Sequence, residues 1–186
     1  MKHIDLLEAF RPGCEQEERD LELILSLAHA DPLGILTRRS LTAHLTPSGL
    51  IFNPDGSRVL LVRHNLYGAW CWTGGHADGD PDLGAVAVRE AEEETGVPVK
   101  LLSPAIAALD ILPVYGHRKN GTYVSAHLHL CPSFVLIAKE EVPPRALPSE
   151  NSGAQWFNLA DIREASGEAW MYPIYEKLIA RAKRYR

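Results

Sequence analysis

The sequence is poor in the features that mark specialised classes of protein. Cysteine occurs three times in 186 residues, at Cys14, Cys71 and Cys131. An odd count without metal-ligand spacing argues against a disulfide framework or a cysteine-built zinc site. No apolar run is long enough to span a bilayer, so no membrane partner is expected. The opening Met1-Lys2-His3-Ile4-Asp5 is charged early and lacks the apolar core of a secretion signal. With nothing addressing the chain elsewhere, the expected compartment is the reducing cytoplasm. An excess of basic residues is also missing: 19 Lys and Arg face 24 Asp and Glu, a formal net charge of -5. Broad binding to a nucleic acid backbone needs a basic footprint, so no extended nucleic acid partner is expected. A nucleotide, held locally, is not excluded. There is no internal repeat and no low-complexity tract.

What is present is ordinary for a globular protein, with 46% hydrophobic and 23% charged residues. The length fits one domain with an added segment and can bury a core without staples. Residues 1–40 read as an N-terminal helical extension. Leu6, Leu7 and Phe10 share one apolar face, Pro12-Gly13 interrupts, and Leu21, Ile24, Leu25 and Ala28 recur at helical spacing until Asp31-Pro32. Such an extension can pack on the main domain or swap between two of them, which would support a homodimer.

Residues 41–186 read as the main domain. A strand is predicted over 43–52, a turn at Asn53-Pro54-Asp55-Gly56, and a second strand over 59–62. After a central helix come a strand over 99–112, a turn centred on Asn120-Gly121, and a long strand over 123–138. A Pro-rich loop fills 139–153, followed by a short strand over 154–157 and helices over 159–164 and 168–185. Strands on both sides of one helix predict a mixed α/β sandwich.

The central helix, predicted over 80–96, has clear ends. Asp80 can cap it, Pro81 suits a first turn, Gly96 suits the position after the last turn, and Pro98 blocks continuation. Leu83, Ala87 and Ala91 lie on one side and can face a core. Its last turn breaks an electrostatic rule, because Glu90, Glu92, Glu93 and Glu94 crowd the end where the helix dipole favours cations. Each misplaced acid costs about 0.3–1 kcal/mol. Glu90 also meets Glu93 and Glu94 at i+3 and i+4, where like charges repel. Arg89 offsets part of this, most directly through Glu93 or Glu92. The run is either a solvated acidic helix end or a site where a divalent cation removes the conflict: Glu90, Glu93 and Glu94 on one face offer the hard oxygen ligands that Mg2+ or Mn2+ prefer. Glu92 points elsewhere and reads as a solvated surface acid.

These residues carry a resemblance. The Nudix box reads Gly, five residues, Glu, seven residues, then Arg-Glu-aliphatic-any-Glu-Glu-any-Gly-aliphatic. Here Gly75 is followed at that spacing by Arg89-Glu90-Ala91-Glu92-Glu93-Glu94-Thr95-Gly96-Val97. Pro81 stands where the box has its first Glu, and Ala91 is a small stand-in for the aliphatic residue. Asp78, Asp80 and Asp82 surround the gap, and one of them can replace the missing carboxylate. The hairpin over 41–64 and the closing Gln155-Trp156-Phe157 also resemble this family, so the likeness covers residues 41–162. It implies a Nudix α/β/α sandwich with a mixed sheet, whose loop–helix–loop holds Mg2+ or Mn2+ over a diphosphate while water displaces a phosphoryl group. By position it implies metal ligands at Glu90, Glu93 and Glu94, a further oxygen from the Gly75 carbonyl, and Arg89 orienting the glutamates. The general base would be Glu90 or Glu94. Glu150, ahead of Trp156, falls where some members take an additional ligand or base.

Other residues are candidates for substrate contact. Trp70 and Trp72, with Tyr67, can stack a base or sugar or simply pack in a loop or core. His127 and His129 share a strand face, and His76 follows the glycine pair. All three histidines can line the pocket or serve as structural side chains. Arg63, Arg118 and Lys119 can meet phosphates, and Cys71, with no base partner nearby in sequence, reads as inert. The expected function is metal-dependent hydrolysis of a diphosphate linkage in a small molecule, a nucleoside diphosphate derivative or related pyrophosphate. One alternative is an isomerase similar to isopentenyl diphosphate isomerase, which residues 68–76 faintly resemble, although Gly75 stands where that enzyme's cysteine is expected. Another is a non-catalytic nucleotide-sensing Nudix domain.

Overall fold

The computed structural model describes residues 1–119 and 121–185, without the side chains of Lys119 and Tyr185. The expectations placed on Asn120 and on the Lys119 side chain therefore lie outside the described residues. Helices α1 (Lys2–Ala9) and α2 (Glu15–Ala30) come first. They are followed by strands β1 (Ala43–Leu45), β2 (Ser48–Phe52), β3 (Arg58–His64), β4 (Trp70–Cys71) and β5 (Thr73–Gly74), then helix α3 (Leu83–Thr95). Strands β6 (Val99–Leu101), β7 (Ala108–Val114), β8 (His117–Lys119), β9 (Thr122–Val124), β10 (His127–Ala138) and β11 (Asn151–Asn158) precede the closing helices α4 (Ile162–Ser166) and α5 (Tyr172–Ala182).

The long strand β10 organises the sheet. On one side it runs parallel to β1 and β2, and on the other antiparallel to β7 and β6. Beyond β2 the sheet continues antiparallel through β3 to β11. Successive side chains of a strand point to opposite faces, and here both faces are covered. Ile51, Leu60, Phe134 and Leu136 enter one core with Leu7, Ile24, Leu83, Ala87 and Ala91 from α1, α2 and α3. Leu50, Phe52, Leu61 and Val135 enter the other with Ile162, Tyr175 and Leu178 from α4 and α5. The result is an α/β/α sandwich around a mixed sheet, with a helical N-terminal segment.

That segment lies on its own sheet. Ile4, Leu7, Ile24 and Ala28 are buried in the same core as Leu109 and Leu130. The wholly buried Glu17 of α2 accepts hydrogen bonds from the Gly13 amide (2.8 Å) and the Leu109 amide (3.3 Å), and pairs with Arg181 of α5 (2.7 Å). Burial pushes its pKa up, but Arg181, the Gly13 amide and Lys177 together hold it below the ordinary carboxylate value.

Several boundaries differ from the sequence reading. The strand predicted over 43–52 breaks between Leu45 and Ser48, where Pro47 has no amide to donate. The strand over 99–112 divides into β6 and β7 around Pro104, and the one over 123–138 divides into β9 and β10. The final strand is longer than expected and begins at Asn151. The central helix starts at Leu83, and its cap is Asp82, whose Oδ1 accepts from the Ala85 amide (3.2 Å). Asp80 instead accepts from the Asp82 amide (2.8 Å), supporting the turn before the helix. At the other end Gly96 is left-handed, φ 68°, as its place after the last turn required.

Candidate active site

The site is built where the loop after β5 meets the acidic end of α3. Strand β5 lies against β2, pairing Gly74 with Ser48, and the Gly75 amide donates to the Pro47 carbonyl (3.2 Å). This fixes the glycine pair against the helix. The Gly74 amide donates to Glu94 Oε1 (3.0 Å), and a Cβ on Gly75 would fall 2.0 Å from Glu90 Oε2. No side chain but hydrogen leaves room for that approach.

Three carboxylates converge there. Oxygens of Glu90, Glu94 and Glu150 all lie within 4.8 Å of one another. Glu94 is 4% exposed, Glu90 is half-buried and Glu150 is exposed at the rim. Burial, reinforced by Glu150, Glu90 and Glu93, pushes the Glu94 carboxyl up to about 8 against the opposing Gly74 hydrogen bond. Burial also raises Glu90, although Arg89 donates to its Oε1 at 2.7 Å. Like charges this close and this desolvated resist ionising together. An oxygen-only trio whose charge needs neutralising fits Mg2+ or Mn2+, hard ions that take carboxylate ligands.

Arg89 differs from expectation in its nearest partner. It binds the adjacent Glu90, while Glu93 is reached at 3.8 Å. Glu93 is exposed and stands outside the converging trio. Glu92 is exposed but not merely solvated, since its Oε1 accepts from the Val99 amide (3.1 Å) and ties α3 to β6. The three aspartates around Pro81 are engaged elsewhere. Asp78 takes both Nε (3.0 Å) and Nη2 (2.9 Å) of Arg38, Asp80 supports the turn, and Asp82 caps α3 while pairing with Lys2 (2.6 Å). Among the described residues none of them joins the trio.

Asn151 is a contributor that the sequence reading passed over. It is wholly buried, its Nδ2 donates to the Glu94 carbonyl (2.9 Å), and its Oδ1 accepts from the Leu147 amide (3.1 Å). It thereby binds the loop carrying Glu150 to the end of α3. Its position beside Glu150 was the only signal in the sequence.

The proposed substrate contacts divide. Trp72 is corrected to a core residue: it is 9% exposed, sits edge-on to Tyr175 at 6.0 Å, and has no open ring for stacking. Trp70 is half-buried against Phe157 (5.0 Å). Arg63 is exposed on β3 directly across from Trp70. Tyr67 is exposed and rests on the His64 ring (4.6 Å), and Arg118 is occupied within its own hairpin by the Gly121 carbonyl (3.1 Å). Cys71 is buried, which raises its thiol pKa and keeps it unreactive.

His76, His127 and His129 do come together, with His44 as an unanticipated fourth. Strand pairing sets His44 of β1 beside His129 of β10. Ring centroids lie 5.0 Å apart for His44–His76, His44–His127 and His127–His129, 5.1 Å for His76–His129 and 5.3 Å for His44–His129. Burial, then the neighbouring imidazoles, lowers the His129 pKa to about 3, and burial likewise lowers His44.

A mixed-sheet sandwich with this glycine turn and acid-ended helix defines a recognisable class. The model of the NUDIX domain matches residues 42–178, and the chain belongs to that family. Among curated proteins it is similar to nucleoside diphosphate-linked moiety X motif 6 of Xenopus laevis, 42% identical over 52 residues. That match spans 27% of this chain and 24% of the relative. Among solved structures it resembles the Escherichia coli dihydroneopterin triphosphate pyrophosphohydrolase, with TM-score 0.55 and 14% identity over 73% of this chain and 94% of that one. A Caenorhabditis elegans Ap4A hydrolase in a binary complex gives TM-score 0.52 and 17% identity over 73% and 95%. At these identities the structures establish the fold. No helix among the described residues is long and apolar enough to cross a membrane.

Proposed function

We propose that this chain is a metal-dependent hydrolase that cleaves a diphosphate linkage in a nucleoside diphosphate derivative or a related small pyrophosphate. The observation that carries this reading is the convergence of Glu90, Glu94 and Glu150 against the Gly74-Gly75 turn. These three glutamates would hold Mg2+ or Mn2+, with the Gly75 carbonyl and Glu93 as the further oxygens that the family pattern implies. The bound ion would reverse the local negative charge, polarise phosphoryl oxygens and acidify water.

The protein's own groups do the rest. Arg89 holds Glu90 in place by its 2.7 Å hydrogen bond, and Asn151 fixes the loop that presents Glu150. Glu90 and Glu94 are the two candidates for taking the proton of the attacking water, a role that requires reach to within about 3 Å or through one further water. Trp70 and Arg63, paired across β3 and β4, would be the substrate contacts, an aromatic surface and a cation suited to a base and a phosphate. Three free cysteines accord with a reducing, cytoplasmic setting.

The test is a screen of nucleoside triphosphates, dinucleoside polyphosphates, nucleotide sugars, ADP-ribose and NADH with Mg2+ or Mn2+, following phosphate-containing products. Turnover is expected with at least one class and should fall on the order of 10²–10⁴-fold in Glu94→Gln or Glu90→Gln, the span contributed by a general base. The variant that loses turnover while keeping metal affinity identifies the base. Undiminished turnover in both variants would remove the carboxylates from the chemistry, and tight nucleotide binding without turnover in either metal would make the domain a sensor.

A further inference from the structure

From the histidine cluster we infer that the protein has a second metal site, chemically distinct from the carboxylate trio, in which His44, His127 and His129 bind a zinc-class transition ion. One ring nitrogen from each of the three lies within 4.8 Å of the others. The tautomers of two are fixed by their backbone partners. His44 Nδ1 lies 3.0 Å from the Ser40 carbonyl, and His127 Nδ1 lies 2.8 Å from the Ser125 carbonyl. A carbonyl only accepts, so both Nδ1 atoms carry protons and both Nε2 atoms present lone pairs. This is the arrangement that orients metal-binding imidazoles, where the outer nitrogen donates to a backbone oxygen.

The inner nitrogens are the telling feature. His44 is 4% exposed, and its Nε2 is buried without a hydrogen-bond partner among the described residues. A buried acceptor left unpaired destabilises the fold that holds it. His127 Nε2 and His129 Nε2 lie 3.2 Å apart. A hydrogen bond between those two can satisfy that pair, but it leaves His44 orphaned. An ion accounts for all three nitrogens at once. Two ligands held tetrahedrally at the 2.0–2.1 Å of a zinc–imidazole bond stand about 3.3 Å apart. That matches the observed His127–His129 separation.

Ligand chemistry separates the two sites. Imidazole suits zinc, cobalt, nickel and copper, whereas an oxygen-only trio suits magnesium and manganese. Three protein ligands are also one fewer than a closed structural zinc site uses, so a coordination position stays open to an exogenous oxygen. His76 adjoins the cluster, with its ring 5.0 Å from His44 and 5.1 Å from His129.

The experiment is a Co2+ titration of the full, metal-stripped chain followed by visible absorption, with Zn2+ as competitor. One equivalent of Co2+ should give the intense d–d bands of a low-coordinate nitrogen site and be displaced by Zn2+. Glu94→Gln should keep this signal. A His127→Ala/His129→Ala double variant, checked for folding by circular dichroism, should bind at least about 100-fold more weakly. Should that variant fail to fold, electron paramagnetic resonance of the Cu2+-loaded wild type decides. Nitrogen hyperfine structure from three imidazoles supports the site, and an oxygen-only pattern overturns it. The inference also falls if the wild type takes up no stoichiometric Co2+, if the double histidine variant binds as well, or if Glu94→Gln abolishes the signal.

Discussion

Gly75 lies so close to Glu90 that a methyl group on the glycine would overlap the glutamate's carboxylate, 2.0 Å from Oε2 and 2.2 Å from Cδ. The contact joins the turn after β5 to the glutamate that accepts the 2.7 Å hydrogen bond of Arg89. It makes the absence of a side chain at residue 75 part of the site's geometry.

Gly75→Ala should therefore impair the site more than the fold. The clashing atoms belong to the end of a flexible side chain, which can swing away, so the stability loss should stay within the 1–3 kcal/mol typical of overpacking. Swinging Glu90 away breaks both its Arg89 hydrogen bond and its alignment with Glu94 and Glu150. A displacement of about 1 Å in a catalytic arrangement can cost about 10²-fold in rate. Steady-state kinetics beside a thermal melt check this: kcat/KM should drop on that scale while the melt remains cooperative. A variant as active as the wild type would place Glu90 outside the chemistry.

How much of this was legible in the sequence depended on whether a residue acts through its neighbours in the chain. Leu83, Ala87 and Ala91 were readable as a core face because helical spacing alone determines that they share a side, and all three are buried. Gly96 was readable because a helix end needs its conformation. Glu90 and Glu94 stood out through local electrostatics, and Glu150 through the family resemblance. What was hidden depends on tertiary pairing. His44 becomes a partner of His129 only when β1 lies along β10 in one register, and Asn151 reaches the Glu94 carbonyl only when β11 closes the sheet. Trp72 misled because aromatic residues near a glycine turn look alike whether they face solvent or Tyr175. The Asp82 cap was misplaced by two residues because three aspartates in close succession can each cap.

A second prediction concerns the N-terminal segment. Glu17→Ala would leave Arg181 buried without its anion and deprive the Gly13 and Leu109 amides of their acceptor. Removing one partner of a buried ion pair costs about 3–5 kcal/mol. Urea unfolding should show a loss of that size, because α2, the sheet and α5 are all joined through this carboxylate. None of the three groups belongs to α3, so the folded fraction should retain its turnover. A loss of 1 kcal/mol or less would mean that contacts other than the Glu17 carboxylate hold the helices in place.

The pH dependence of stability should carry a signature of His3. This side chain is wholly buried in α1, and burial lowers its pKa below the ordinary histidine value against the opposing Pro32 backbone hydrogen bond and Asp5 charge. The unfolded chain takes up a proton as pH falls below about 6.5, whereas the folded chain resists until lower pH. The unfolded state then binds more protons, so stability declines on acidification, by at most about 1.4 kcal/mol per pH unit for one group. The decline begins near the unfolded value and levels off once pH passes below the folded value. His44 and His129 contribute with the same sign, so the effect of His3 must be read as a difference. Urea midpoints of wild type and His3→Leu at about pH 7.5 and about pH 5.5, on either side of the free imidazole's titration, provide it. The leucine variant should lose less stability between the two conditions; parallel losses would show that His3 titrates alike in both states.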